Sequence, residues 1–156
     1  MSWRKLDGTF LNYNLPELVE ETIQREKAAG HELKICVGTD SQVYRSHIEF
    51  ASVVVFLRQG SGGFMFINNF QHVGLMTIKE RMINEVSKSI EVAYSICHLL
   101  DKYKVDLEVH ADINTNPNFK SNTALKEAMG YILGMGFQFK AKPEAFASSS
   151  CADKVV

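Results

Sequence analysis

One apolar stripe does most to restrict how this chain can fold. Ile78, Met82, Val86, Ile90, Ala93, Cys97 and Leu100 recur at spacings of three and four, the period of a helix that buries one face. The run predicts a long helix over 77–102. A helix with one apolar face needs a second layer to cover, and the flanking sequence supplies it. Residues 33–37 read as a buried strand ending at Gly38-Thr39-Asp40. Residues 48–57, rich in Val and Phe, read as a second strand and 64–69 as a third. The loop between these last two, Gln59-Gly60-Ser61-Gly62-Gly63, is short enough to make them an antiparallel hairpin.

After the long helix the pattern continues with a strand at 105–111, a helix near 121–133 and a strand at 137–141. Gly134 and Gly136 punctuate this stretch and Pro143 breaks it. A short final helix is expected to start near Ser149 or Ser150. Upstream, Asn14 can cap a helix with Pro16 in its first turn and Glu17 three residues on. Leu15, Leu18, Val19 and Ile23 then hold helical spacing until Gly30. Residues 1–13 read as an irregular lead-in. The strands joined by helices imply right-handed crossovers and parallel pairing. The expectation is an α/β fold: a mixed five-stranded sheet, an antiparallel hairpin plus parallel strands, flanked by helices. We expect one domain over 1–156, with 1–32 as an N-terminal extension carrying a helix.

The 156 residues carry a net charge of −1, so no general basic field attracts polyanions. The three cysteines, Cys36, Cys97 and Cys151, lack the C-x-x-C spacing of a thiolate zinc site and are odd in number for a disulfide framework. The N-terminus lacks the apolar run of a signal peptide, and no stretch reaches transmembrane length. The expected location is the cytoplasm, with no membrane association.

Four carboxylates fall at informative places: Asp40 and Asp112 at strand ends, Glu85 on the rim of the helical stripe, and Asp153 after the last strand. Carboxylates gathered at one sheet edge repel unless a cation joins them, and Mg2+ takes a few oxygen ligands from protein. Each also has a plainer reading. Asp40 and Asp112 suit turns that bond their own backbone. Glu85 suits a rim ion pair with Arg81 or Lys88. Asp153 suits a helix start, with Ser150 three residues before it.

With these acids on this order of elements, the chain resembles the ribonuclease H-like superfamily, and more narrowly its small uncharacterised bacterial members. The motifs that carry the resemblance are Gly38-Thr39-Asp40-Ser41, Arg81-Met-Ile-Asn-Glu85-Val, His110-Ala-Asp112 and Ala152-Asp153. It implies that Asp40, Glu85, Asp112 and Asp153 bind two divalent ions, Mg2+ or Mn2+, roughly 4 Å apart. The implied activity is hydrolysis of phosphodiester bonds in nucleic acid. Ser41, His110, Asn114 and Lys142 are candidates for substrate contact, although a hydrogen-bonded core histidine and loop-forming polar residues explain them as well. The alternative function is a non-catalytic module of the same fold that binds nucleic acid or a protein. Glycine-rich phosphate loops after strands are missing, which ranks a kinase-like reading last. An exposed sheet edge or the N-terminal helix leaves oligomeric pairing open.

Overall fold

The computed structural model describes residues 1–111, 123–141 and 143–156. Seven strands form one sheet in the order β2-β1-β5-β4-β3-β6-β7. Its core is the mixed arrangement expected from sequence. Strands β3 (Leu33–Val43), β4 (His47–Arg58) and β5 (Gly63–Val73) form an antiparallel meander. Strands β6 (Asp106–His110) and β7 (Gln138–Lys140) add in parallel beside β3.

The sheet has seven strands rather than five because part of the lead-in is ordered. Strands β1 (Trp3–Arg4) and β2 (Phe10–Leu11) pair with each other, and β1 pairs with β5. Side chains of β5 hold them there. Asn69 Oδ1 accepts Arg4 Nε and Nη2 at 3.0 and 2.8 Å, and Asn68 Nδ2 donates to the carbonyl of Ser2 at 2.6 Å. Trp3 is buried in the core. A two-residue strand fixed by such contacts has no periodicity for a sequence to reveal.

Helices α1 (Leu15–Ala28), α2 (Ile78–Tyr103) and α3 (Thr123–Gly134) are built as their sequences suggest. Asn14 Oδ1 accepts the Glu17 N–H to cap α1, and Thr77 Oγ1 does the same for α2 with Glu80. Leu18, Val19 and Ile23 of α1 and Val86, Ile90, Ala93, Ile96 and Leu100 of α2 cover Ile35, Val37, Val54, Phe56, Leu107 and Val109. Those six alternate along β3, β4 and β6, so they share one sheet face. Ile78, the first residue of the stripe and of α2, is 72% exposed.

The C-terminal segment covers the opposite face. A π-helical turn, Ala147–Ala152, runs into α4, Asp153–Val155. Ala147 and Ala152 pack on Cys36, Val53, Val55 and Ile67. The helix starts two or three residues earlier than expected, and Ser150 lies inside it rather than capping it. The cause is tertiary: His110 Nδ1 accepts the Ala147 N–H at 3.0 Å and fixes the first turn there. Gly38 makes the approach possible, since a Cβ on it would stand 2.5 Å from both Ala147 C and Ser148 N.

Candidate active site

Strand β3 runs on past Asp40. Its antiparallel pairing with β4 reaches Val43, opposite Ile48, while its parallel pairing with β6 stops at Gly38 opposite His110. Asp40 is therefore a mid-strand residue rather than a strand-end residue. Beyond the end of β6 the two layers that flank the sheet meet around a cavity of about 210 Å³. Thr39 and Asp40 line it from β3, and Arg81, Glu85 and Ser89 from α2. His110 and Ala111 line it at the end of β6, and Ser148 and Ser149 from the π-helical turn.

A ladder of hydroxyl contacts sets the α2 wall. Ser89 Oγ donates to Thr39 Oγ1 at 2.8 Å, and Thr39 and Ser52 hydroxyls are hydrogen-bonded at 2.8 Å. Ser41 Oγ donates to Glu85 Oε1 at 2.6 Å, and the Ser41 N–H donates to Asp40 Oδ1 at 2.9 Å. One serine thus orients both acids, through its side chain and its backbone. Lys88, a sequence candidate for pairing Glu85, instead pairs with Glu91 at 3.7 Å and sits over the Phe70 ring.

The fold brings Asp40, Glu85 and His110 to this cavity. Asp153 is exposed on α4 and is absent from the lining. Asp112, Asn114 and Lys142 lie outside the described residues; Ala111, which lines the cavity, is the neighbour of Asp112. Ser148 and Ser149 were not legible as site residues, because nothing local marks a turn that reaches the site only by packing on Gly38. Arg81 had a usable signal: it stands four residues before Glu85, on the same helical face.

His110 is fully buried with both ring nitrogens engaged. Nδ1 accepts from Ala147, so Nε2 carries the proton and donates to Glu108 Oε1 at 2.9 Å. Burial holds its pKa below the ordinary histidine value, despite the opposing pull of Glu108. Glu108 also pairs with Lys34 Nζ at 2.5 Å. Burial pushes the Glu108 carboxyl up, but bonds from Lys34 and His110 outweigh that and hold it below its usual range. Cys36, pushed up to about 12 first by burial and then by Glu108, stays a thiol. Ligand atoms of Cys36, Glu108 and His110 lie within 4.8 Å of one another. As arranged, His110 turns a proton rather than a lone pair toward the other two, and a metal needs the lone pair. The trio is a polar anchor for the C-terminal segment. A larger groove of about 890 Å³, lined by Leu57, Phe64, Met65 and Phe146 among others, has Asp7 as its one carboxylate and no pair of acids.

Comparison with known proteins decides the family. Residues 15–156 match the ribonuclease H-like family. The chain belongs to the ribonuclease H-like family. The match takes in α1, which lies ahead of all the motifs that carry the sequence resemblance. Ribonuclease H-like proteins are commonly nucleases. An uncharacterised protein of Bacillus subtilis (strain 168), YkuK, is 27% identical over 173 residues, covering 94% of this chain and 96% of its own. The crystal structure of RNase H1 from the halophilic archaeon Halobacterium salinarum NRC-1 is 14% identical, with a TM-score of 0.40, over 78% of this chain and 92% of that one. Among the described residues no helix is long and apolar enough to cross a membrane.

Proposed function

We propose that this ribonuclease H-like protein is a divalent-metal-dependent nuclease that hydrolyses phosphodiester bonds by a two-metal mechanism. The observation that carries the reading is the convergence of Asp40 and Glu85, from a strand and a helix, on one small cavity where β6 ends. Their donors fit the group: carboxylate oxygens are the ligands that Mg2+ and Mn2+ prefer. Asp40, Glu85 and Asp112 would hold the ions. Asp153 stands outside the lining and would reach the ions only through a shift of α4. When bound, the ions supply Lewis acidity for an attacking water and a leaving oxygen.

The chain's own residues do the positioning. Ser41 holds both acids in register, so their oxygens need little reorganisation when charge arrives. Ser89 and Thr39 fix α2 against β3 at the cavity wall. The π-helical turn closes the side facing Ser148 and Ser149. The partner is a nucleic acid of unspecified type. Cytoplasmic action agrees with three free thiols.

The test is calorimetric titration of Mg2+ and Mn2+ into wild type and Asp40→Asn, alongside cleavage assays on RNA, DNA and hybrid duplexes. Metal binding and cleavage that both disappear in Asp40→Asn are expected. Cleavage that survives Asp40→Asn unchanged, or a wild type that neither binds metal nor cleaves, removes the proposal in favour of a binding module.

A further inference from the structure

Arg81 lines the carboxylate cavity from α2, one turn before Glu85, and its Nε is buried without a hydrogen-bond partner. Buried polar groups are almost always satisfied, so a native exception requires an explanation. A guanidinium stays charged at any working pH and offers five donors in a rigid fork. Among the described residues that line this cavity, Arg81 is the one lysine or arginine. His110, the other basic residue in the lining, has both ring nitrogens engaged within the protein. Around Arg81, Ser41 orients the two acids and Ser148 and Ser149 donate their hydroxyls to the Ala145 carbonyl. Among the described residues of the cavity, the donor left over is thus the cationic one.

We propose that Arg81 is the anion-binding residue of this site and takes a non-bridging oxygen of a phosphate ester presented to Asp40 and Glu85. The inference rests on the reading of the cavity as a phosphodiester site, and adds the group that receives the ester's charge. A planar fork suits phosphate oxygens, which it can hold through two parallel bonds. The dimensions agree. Sites that enclose a whole drug-sized ligand run to about 300–1,000 Å³, and this cavity holds about 210 Å³. That space takes a phosphate group reaching in from a chain that lies outside. The competing account is an arginine that merely neighbours Glu85 along the helix, in which case phosphate binding would not depend on it.

The experiment compares wild type, Arg81→Lys, Arg81→Gln and Asp40→Asn. Mg2+ affinity is read by calorimetry, binding of inorganic phosphate with and without Mg2+ by 31P NMR, and folding by thermal melts. Arg81→Gln is expected to weaken phosphate at least about tenfold while Mg2+ binds as well as in wild type, and Arg81→Lys to fall between, because it keeps the charge and loses the fork. Unchanged phosphate binding in Arg81→Gln, or none in wild type under either condition, overturns the inference. Should Arg81→Gln not fold, Arg81→Lys decides: at least a threefold loss supports Arg81 and no loss refutes it. Failure of Mg2+ to bind wild type counts against the nuclease reading alone, since an Arg81-dependent phosphate site would still stand.

Discussion

His110 Nδ1 accepts the backbone N–H of Ala147 at 3.0 Å, and this bond joins the last residue of β6 to the first turn of the C-terminal helix. The ring's other nitrogen donates to Glu108, which in turn holds Lys34. The imidazole is a strut between three elements. His110→Phe keeps a ring against Phe146, whose centroid lies 4.7 Å away, but leaves the Ala147 N–H buried and unpaired. The expected loss is about 2 kcal/mol, read by urea denaturation.

The same strut gives a pH dependence with a definite sign. The folded state holds the His110 pKa below its ordinary value, burial being the main cause. The unfolded chain therefore takes up the proton first as pH falls. The His110 contribution is complete above the unfolded pKa of about 6.5 and is lost as pH drops below it toward the folded value. Glu26, held below its usual range first by its hydrogen bond from Arg58, adds a second loss as pH falls below the ordinary glutamate value of about 4.3. Stability curves of wild type and Glu26→Gln are expected to converge in that acid range, and His110→Phe is expected to flatten the loss that begins below about pH 6.5.

The two acids and the serine between them separate geometry from charge. Asp40→Asn and Glu85→Gln are each expected to weaken Mn2+ by at least about tenfold. Ser41→Ala, which removes a donor to Glu85, falls in the range of about 10–100-fold seen when a ligand loses its orienting partner. Asp153→Asn is expected to stay within about threefold, because that side chain is exposed and outside the lining. Equal losses at Asp153 and Asp40 in calorimetry would mean that α4 moves inward when metal binds.

Thiol reactivity reports the packing of the C-terminal segment. Cys36 and Cys97 are buried and Cys151 is partly exposed. All three are pushed up by burial, Cys36 to about 12. An aromatic disulfide reagent at pH 8 is expected to modify Cys151 first, with Cys36 responding only when the π-helical turn lifts. Prompt reaction of Cys36 in the folded protein would contradict this packing.

The α2 stripe and the hairpin were legible because each is a long periodic run whose apolar residues face one layer. Glu85 was placed from the α2 register, and Asp40 from the apolar run that precedes it in β3. Where the sequence reading fell short, a distant partner decides the local structure. Asp40 looks like a strand-end residue because the apolar run stops at Val37, yet pairing with β4 carries β3 on to Val43. Ser150-x-x-Asp153 has the form of a cap, yet His110 sets the helix start at Ala147. The first two strands are held by Asn68 and Asn69, residues that no pattern in the first thirteen positions could indicate.

Gly38 carries no side chain that could hold an ion, yet that missing side chain is what admits Ala147 and Ser148 to the sheet. Even alanine there would force its Cβ against main-chain atoms that no rotamer change can move aside. In a saturation mutagenesis experiment selected on activity, position 38 would tolerate as few replacements as Asp40, and a map of tolerance alone would count it among the reacting groups. The two should part company when abundance is scored separately: Asp40→Asn leaves a full yield of folded protein, and Gly38→Ala does not.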